Sequence, residues 1–140
     1  MTKRTYYTTL VFFIIITIFI VWIVGLFIYP YKLVKFNDDK FPVLTPIVRA
    51  GEELQFQVDF YRYTKLPTKV SRQLINDYVY YYTEITASNP QGHIDKIGTV
   101  TIPSNIEPGV YFLRNIYKYE VNFLRTITIV KDTEKFEVIK

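Results

Sequence analysis

Between Leu10 and Ile28 the chain reads LVFFIIITIFIVWIVGLFI, a stretch with no charged residue and one hydroxyl, that of Thr17. As a helix rising about 1.5 Å per residue it spans roughly 28 Å, the hydrocarbon thickness of a bilayer. Arg4 and Lys32 bound the run, and Tyr6, Tyr7, Tyr29 and Tyr31 stand where aromatic residues collect at a membrane surface. The core of a 140-residue chain has no room for such a segment. The sequence therefore predicts a transmembrane helix over residues 10–31, preceded by a short tail, residues 1–9. A cleaved signal peptide is the rival reading, because Lys3 and Arg4 precede the run. Against it, the apolar region exceeds the roughly 7–15 residues of a signal core and no small-x-small cleavage site follows. The expectation is an uncleaved, single-pass signal-anchor. Lys3 and Arg4 on one side, against Lys32, Lys35 and Lys40 on the other, give no orientation bias. A short tail ahead of a folded domain favours a cytoplasmic N-terminus and an extracytoplasmic C-terminal domain.

Residues 32–41 (KLVKFNDDK and Phe41) read as a juxtamembrane spacer, and residues 42–140 as one β domain. The period of the apolar pattern there is two. Leu54, Phe56, Val58 and Phe60 alternate with Gln55, Gln57, Asp59 and Tyr61, the signature of a strand with one buried face. Before it, Val43 to Val48 reads as a short strand that Pro42 and Pro46 push to a sheet edge. IGTVTIP places Gly98, Val100 and Ile102 on its more apolar face, and Val110 to Leu113 alternate after Pro108-Gly109. No segment beyond residue 32 sustains a helical apolar pattern. Short strands divided by Pro, Gly and Asn turns predict an all-β, antiparallel β-sandwich.

The segment TIPSNIEPGVYFLR is similar to the approach to a late strand in immunoglobulin-like and fibronectin-type-three-like domains, and TEKFEVI looks like the last strand of such modules. The resemblance implies an immunoglobulin-like sandwich. In it Pro108 and Gly109 form the turn and Tyr111 takes the tyrosine-corner place, its hydroxyl on backbone. The Cys…Trp…Cys pattern of antibody domains is missing, since there is no Cys and Trp22 lies in the apolar run.

Groups with catalytic chemistry are scarce. There is no cysteine, no Gly-x-Ser-x-Gly and no Gly-rich phosphate loop. The one histidine, His93, sits in NPQGHID and reads as a loop-tip residue, its alternative role being a contact with Asp95. One His and no Cys cannot close a zinc shell unaided. The acidic cluster Asn37, Asp38 and Asp39 reads as a hydrophilic hinge rather than a calcium site, and Asp59 and Glu107 share no spacing. The expectations are no catalytic residue, no metal, no cofactor and no enzyme activity. Lys3 and Arg4 supply two units of the net charge of +4, and the other charges are interspersed. Arg114, Lys118 and Arg125 near Tyr117, Tyr119 and Phe123 read as a strand and connection with snorkelling bases, not as a nucleic-acid surface.

NDYVYYYTEI remains. As a single strand it puts Tyr78, Tyr80 and Tyr82 on one face, and Val79, Tyr81 and Ile85 on the other, core-facing one. The candidate interaction surface is Tyr78, Tyr80 and Tyr82, with Tyr81 buried; whether a loop covers the stripe stays open. The partners expected are the lipid bilayer and a protein or second copy of the chain, with carbohydrate as an alternative ligand and no nucleic acid. The function expected is display of a small β domain for protein contact. A phage or viral membrane-associated structural protein and a carbohydrate-binding module are the alternatives.

Overall fold

A computed structural model describes residues 2–140. Helix α1 runs over Lys3–Ile28. It begins earlier than the apolar run because the polar first turns are closed locally. Thr2 caps the Thr5 amide at 3.3 Å, and the Thr8 and Thr9 hydroxyls donate to the carbonyls of Arg4 and Thr5. It ends at Ile28 rather than 31 because Pro30 has no N–H and holds Tyr29 extended (φ −57°, ψ 126°). None of its residues is buried. The helix is long and apolar enough to cross a membrane, a measure that an N-terminal signal sequence also meets.

The remainder is two β layers over one core. The first sheet has the order β1 (Val34–Phe36), β3 (Glu53–Arg62), β7 (Gly92–Thr101). The second runs β2 (Ile47–Arg49), β10 (Phe136–Ile139), β8 (Gly109–Asn122), β4 (Thr68–Ile75), β5 (Val79–Tyr81). Strand β6 (Ile85–Ala87) extends β5's edge along β4, and β9 (Arg125–Asp132) pairs with the second half of β8. Leu54, Phe56, Val58 and Phe60 from the first sheet meet Leu74, Tyr111, Leu113 and Val138 from the second in one buried cluster. Val100 and Ile102 point inward with them. The alternation of apolar residues thus marks the buried face of both layers.

Two sequence expectations need correction. The sheets are not wholly antiparallel: β2 pairs with β10 in parallel, Val48 opposite Val138. This edge strand reaches the second sheet by leaving the first, where Val43 still bridges Phe56. The spacer is the larger correction, because residues 32–41 belong to the domain. Leu33 is buried and β1 pairs with the far end of β3, Phe36 opposite Phe60. The Phe36 ring lies 5.6 Å from those of Phe41 and Phe60, and Phe41 stacks on Phe56 at 5.9 Å. Three apolar anchors at positions 33, 36 and 41 outweigh the polar residues between them, each being worth about 1.5–3 kcal/mol when fully buried. The Asn37–Lys40 turn is held from outside by Lys131, whose Nζ donates to the carbonyls of Asp38 and Asp39 at 2.8 Å each.

Candidate functional site

The β4–β5 hairpin turns through Asn76, Asp77 and Tyr78, with Ile75 opposite Val79. Beside it, residues 103–108 form the loop that leads into β8. Tyr111 fixes that loop: its ring is buried and its hydroxyl donates to the Glu107 carbonyl at 2.7 Å. Pro108 is exposed on the loop and Gly109 opens β8. A Cβ on Gly109 would come within 3.0 Å of the Asn76 amide nitrogen, so the missing side chain lets the hairpin close on the loop.

Between hairpin and loop lies a cleft of about 290 Å³. Tyr78 and Tyr80 form one wall and Asn105, Ile106 and Glu107 the other, over Leu74 and Tyr111. It lies at the opposite end of β8 from α1. The helix meets the domain at Asn122 and Arg125, and from Asn122 back to Tyr111 an extended strand covers about 35 Å.

The structure brings Tyr78, Tyr80 and Tyr111 together and sets Tyr82 apart. Tyr78 is 81% exposed and Tyr80 43%. Tyr82 is partly buried against the core, and its hydroxyl crosses to the other sheet to donate to the Thr101 carbonyl at 3.0 Å. Tyr81, expected in the core, is 69% exposed. The cause is register. Tyr80 pairs with Leu74, a core residue, so Tyr80 and Tyr82 take the inner face; Tyr81 pairs with Gln73 and faces out. The alternation within YVYYY is as expected, but its faces are exchanged. Residues 76–85 are also not one strand, since β5 ends at Tyr81 and β6 begins at Ile85.

Burial pushes the Tyr82 phenol up to about 12 and raises that of Tyr117 as well. An unfolded tyrosine ionises near pH 10, so the folded chain holds these protons more tightly. The stability they confer is whole below pH 10 and declines as pH rises toward 12. The expected result is a urea midpoint that falls between pH 10 and 12, less steeply in Tyr82→Phe. Equal slopes in both proteins would show that Tyr82 carries none of this dependence.

The other titratable groups are paired elsewhere. His93 lies in β7, paired with Tyr61, instead of at a loop tip, and its Nε2 lies 2.6 Å from Asp59, not Asp95, whose carboxylate accepts from Gln57. A side-chain hydrogen bond from Asn37, and then His93, hold the Asp59 carboxyl below its usual range. Arg114 grips Asp132 through two bonds of 2.9 and 3.0 Å, and Lys118 lies 3.5 Å from Glu84. Arg125 points to the helix end. The bases that the sequence clusters are thereby distributed among acids and backbone. Among the described residues no three His, Asp or Glu side chains group as metal ligands would.

No protein-family model matches the sequence, and no curated protein matches it. Among the solved structures that bear a partial likeness to the chain are two of low sequence identity. One is an alkylpurine DNA glycosylase from Pseudomonas fluorescens bound to DNA containing an abasic-site analogue (TM-score 0.44, 12% identity). That match covers 79% of this chain and 32% of the glycosylase, so the chain spans about a third of that protein. The other is a CARDB domain from Pyrococcus furiosus in complex with di-metal ions (TM-score 0.40, 16% identity), covering 79% of this chain and 95% of the domain. The expectation that the chain is not an enzyme is withdrawn on the first finding, because that similar structure is an enzyme's. A likeness at this level brings no activity to this chain either.

Proposed function

We propose that the chain is a single-pass membrane protein, its N-terminus cytoplasmic, that displays an immunoglobulin-like sandwich for contact with another protein or a second copy of itself. The observation that carries this reading is the position of the Tyr78–Tyr80 cleft, at the end of β8 remote from the helix. Three features support the immunoglobulin-like assignment. A three-stranded and a larger sheet share the core, an edge strand lies parallel to the last strand, and Tyr111 bonds back four residues to Glu107. The tyrosines give rigid, amphipathic contact area at low conformational cost. Strand β5 beside them is the sheet's edge, with one side of its backbone unpaired by any other strand.

The test places a photo-crosslinking amino acid at Tyr78 in the full chain, expressed in its own membrane, with Ile97 on β7 as the exposed control. A discrete adduct from position 78, lost in Tyr80→Ala and missing from position 97, is expected. A chain that gives no adduct at 78 and stays monomeric in detergent refutes the reading. Asn105 and Glu107 facing two tyrosines also suit a sugar ring, and this favours the carbohydrate alternative as second reading. Glycan-array binding that vanishes in Tyr80→Ala would replace the protein partner with a carbohydrate one.

A further inference from the structure

The hairpin that joins β8 to β9 has a two-residue loop, Phe123-Leu124, between the paired Asn122 and Arg125. Two-residue hairpin loops favour Gly, Asn or Asp, which accept positive φ. Here both positions hold large apolar residues, and neither has positive φ. The ladder shifts register between Glu120 and Asn122, and the Asn122 side-chain oxygen accepts the Leu124 N–H at 2.9 Å, which holds the turn closed. Turn chemistry therefore does not account for Phe123 and Leu124. Phe123 is 74% exposed at the tip.

The same tip is fastened to the end of α1. In a continuing helix the carbonyl of Leu26 would accept from residue 30, but residue 30 is proline and has no N–H to give. The Asn122 side chain supplies the missing donor, its Nδ2 lying 2.9 Å from the Leu26 oxygen. Arg125 donates to the Tyr29 carbonyl at 2.8 Å, with its guanidinium 5.9 Å from the centre of the Tyr31 ring. Beyond these bonds the Phe123 ring reaches back along the helix to Trp22, 6.2 Å between centroids. Trp22 precedes the helix end at Ile28 by six residues, about 9 Å along the axis. Lys32, four residues past the helix end at Ile28, sits 4.1 Å over the Tyr63 ring, a further basic and aromatic pair near the helix end.

We propose that Phe123 and Leu124 insert into the bilayer beside α1, in the leaflet that holds its last turns. The occupant of this apolar tip is lipid hydrocarbon, because the tip lies level with helix residues that carry no charge from Leu10 to Ile28. Arg125 snorkels to the interface with Tyr29 and Tyr31, where bases and tyrosines are favoured. The domain is thus held on the membrane at two points rather than tethered by a flexible linker, and its orientation is set by the hairpin. That orientation turns the Tyr78–Tyr80 cleft away from the bilayer. This inference rests on α1 being a retained anchor, which the experiment tests separately.

The chain has no cysteine, so single-cysteine variants can be labelled without background. A bimane label is placed at Phe123→Cys, Leu124→Cys, Val21→Cys and Ile97→Cys in the full chain, reconstituted in phosphatidylcholine vesicles. Folding of each variant is checked by near-ultraviolet circular dichroism. Quenching by acyl-chain spin-labelled lipid is then measured. Labels at 123 and 124 are expected to quench as strongly as that at 21, and several-fold more than that at 97. Quenching at 21 with the tip labels no more quenched than 97 overturns the insertion and leaves the anchor standing. No quenching at 21 overturns the anchor, and the insertion with it.

Discussion

Arg62→Ala destabilises the β domain by about 2–5 kcal/mol, a large share of the roughly 5–15 kcal/mol that holds a domain folded. Arg62 is 1% exposed and forms no ion pair among the described residues. Its guanidinium serves the turn between β3 and β4. Nε donates to the Thr64 carbonyl at 2.8 Å, and Nη2 donates to the Leu66 carbonyl. Truncation leaves two acceptors without these charged donors, at about 1–3 kcal/mol for each that stays buried, and opens a cavity beneath the turn. Lysine is not a replacement, because one ammonium cannot repeat the planar fork that spans both carbonyls. The check is urea unfolding of the full chain in detergent, followed by tyrosine near-ultraviolet dichroism. The single tryptophan, Trp22, lies in α1 and meets the domain through the Phe123 ring at the hairpin tip, so the tyrosines are the probe of the domain's interior. A loss below about 0.5 kcal/mol would mean that water satisfies the turn without Arg62.

Gly98→Ala loses about 1–3 kcal/mol, although alanine in place of glycine inside a strand ordinarily gains about 0.5–1 kcal/mol. A Cβ at position 98 would stand 2.7 Å from Cε2 and Cζ of Phe56 and 3.2 Å from Cγ2 of Val58. Gly98 lies directly opposite Phe56 in the β3–β7 ladder, so the phenyl ring fills the space a side chain would take. Phe56 in turn is stacked on Phe41 and cannot move aside cheaply. The sign of the effect therefore separates this packing from a generic strand glycine. Phe56→Leu in the Gly98→Ala background is expected to recover part of the loss that the two changes cause separately, seen as non-additivity in the double-mutant cycle. Additive losses would count against the contact.

Parts of this architecture are legible without coordinates because they depend on short-range periodicity. Leu54, Phe56, Val58 and Phe60 all face the core, and Gly98, Val100 and Ile102 share an inward face, as alternation requires. The cleft was less legible. The sequence points to Tyr78 and Tyr80 on one side and to Pro108, Gly109 and Tyr111 on the other. It holds nothing that brings the two groups to one place, which pairing β4 with both β5 and β8 accomplishes. Asn105, Ile106 and Glu107 carried no signal, because a loop wall is defined by what lies across from it. The assignment of Tyr81 and Tyr82 to the wrong faces has the same origin. A period of two divides residues into two sets but does not say which set is inside, and here the partner Leu74 decides.

The sequence by itself determined that a long apolar helix precedes a β domain, and which residues alternate along its longer strands. Those properties follow from the length of an apolar run and from the geometry of a pleated backbone. The tertiary structure decided the rest. It drew the apparent spacer into the core through Leu33, Phe36 and Phe41, and continued the inward row of β3 to a charged residue, Arg62. It also set Asn122 against the one helix carbonyl that Pro30 leaves without a donor. The Phe36–Phe60 packing and the Asn122–Leu26 bond join groups far apart in the chain, 96 residues in the last case, and such contacts become specific only when the sheets have closed.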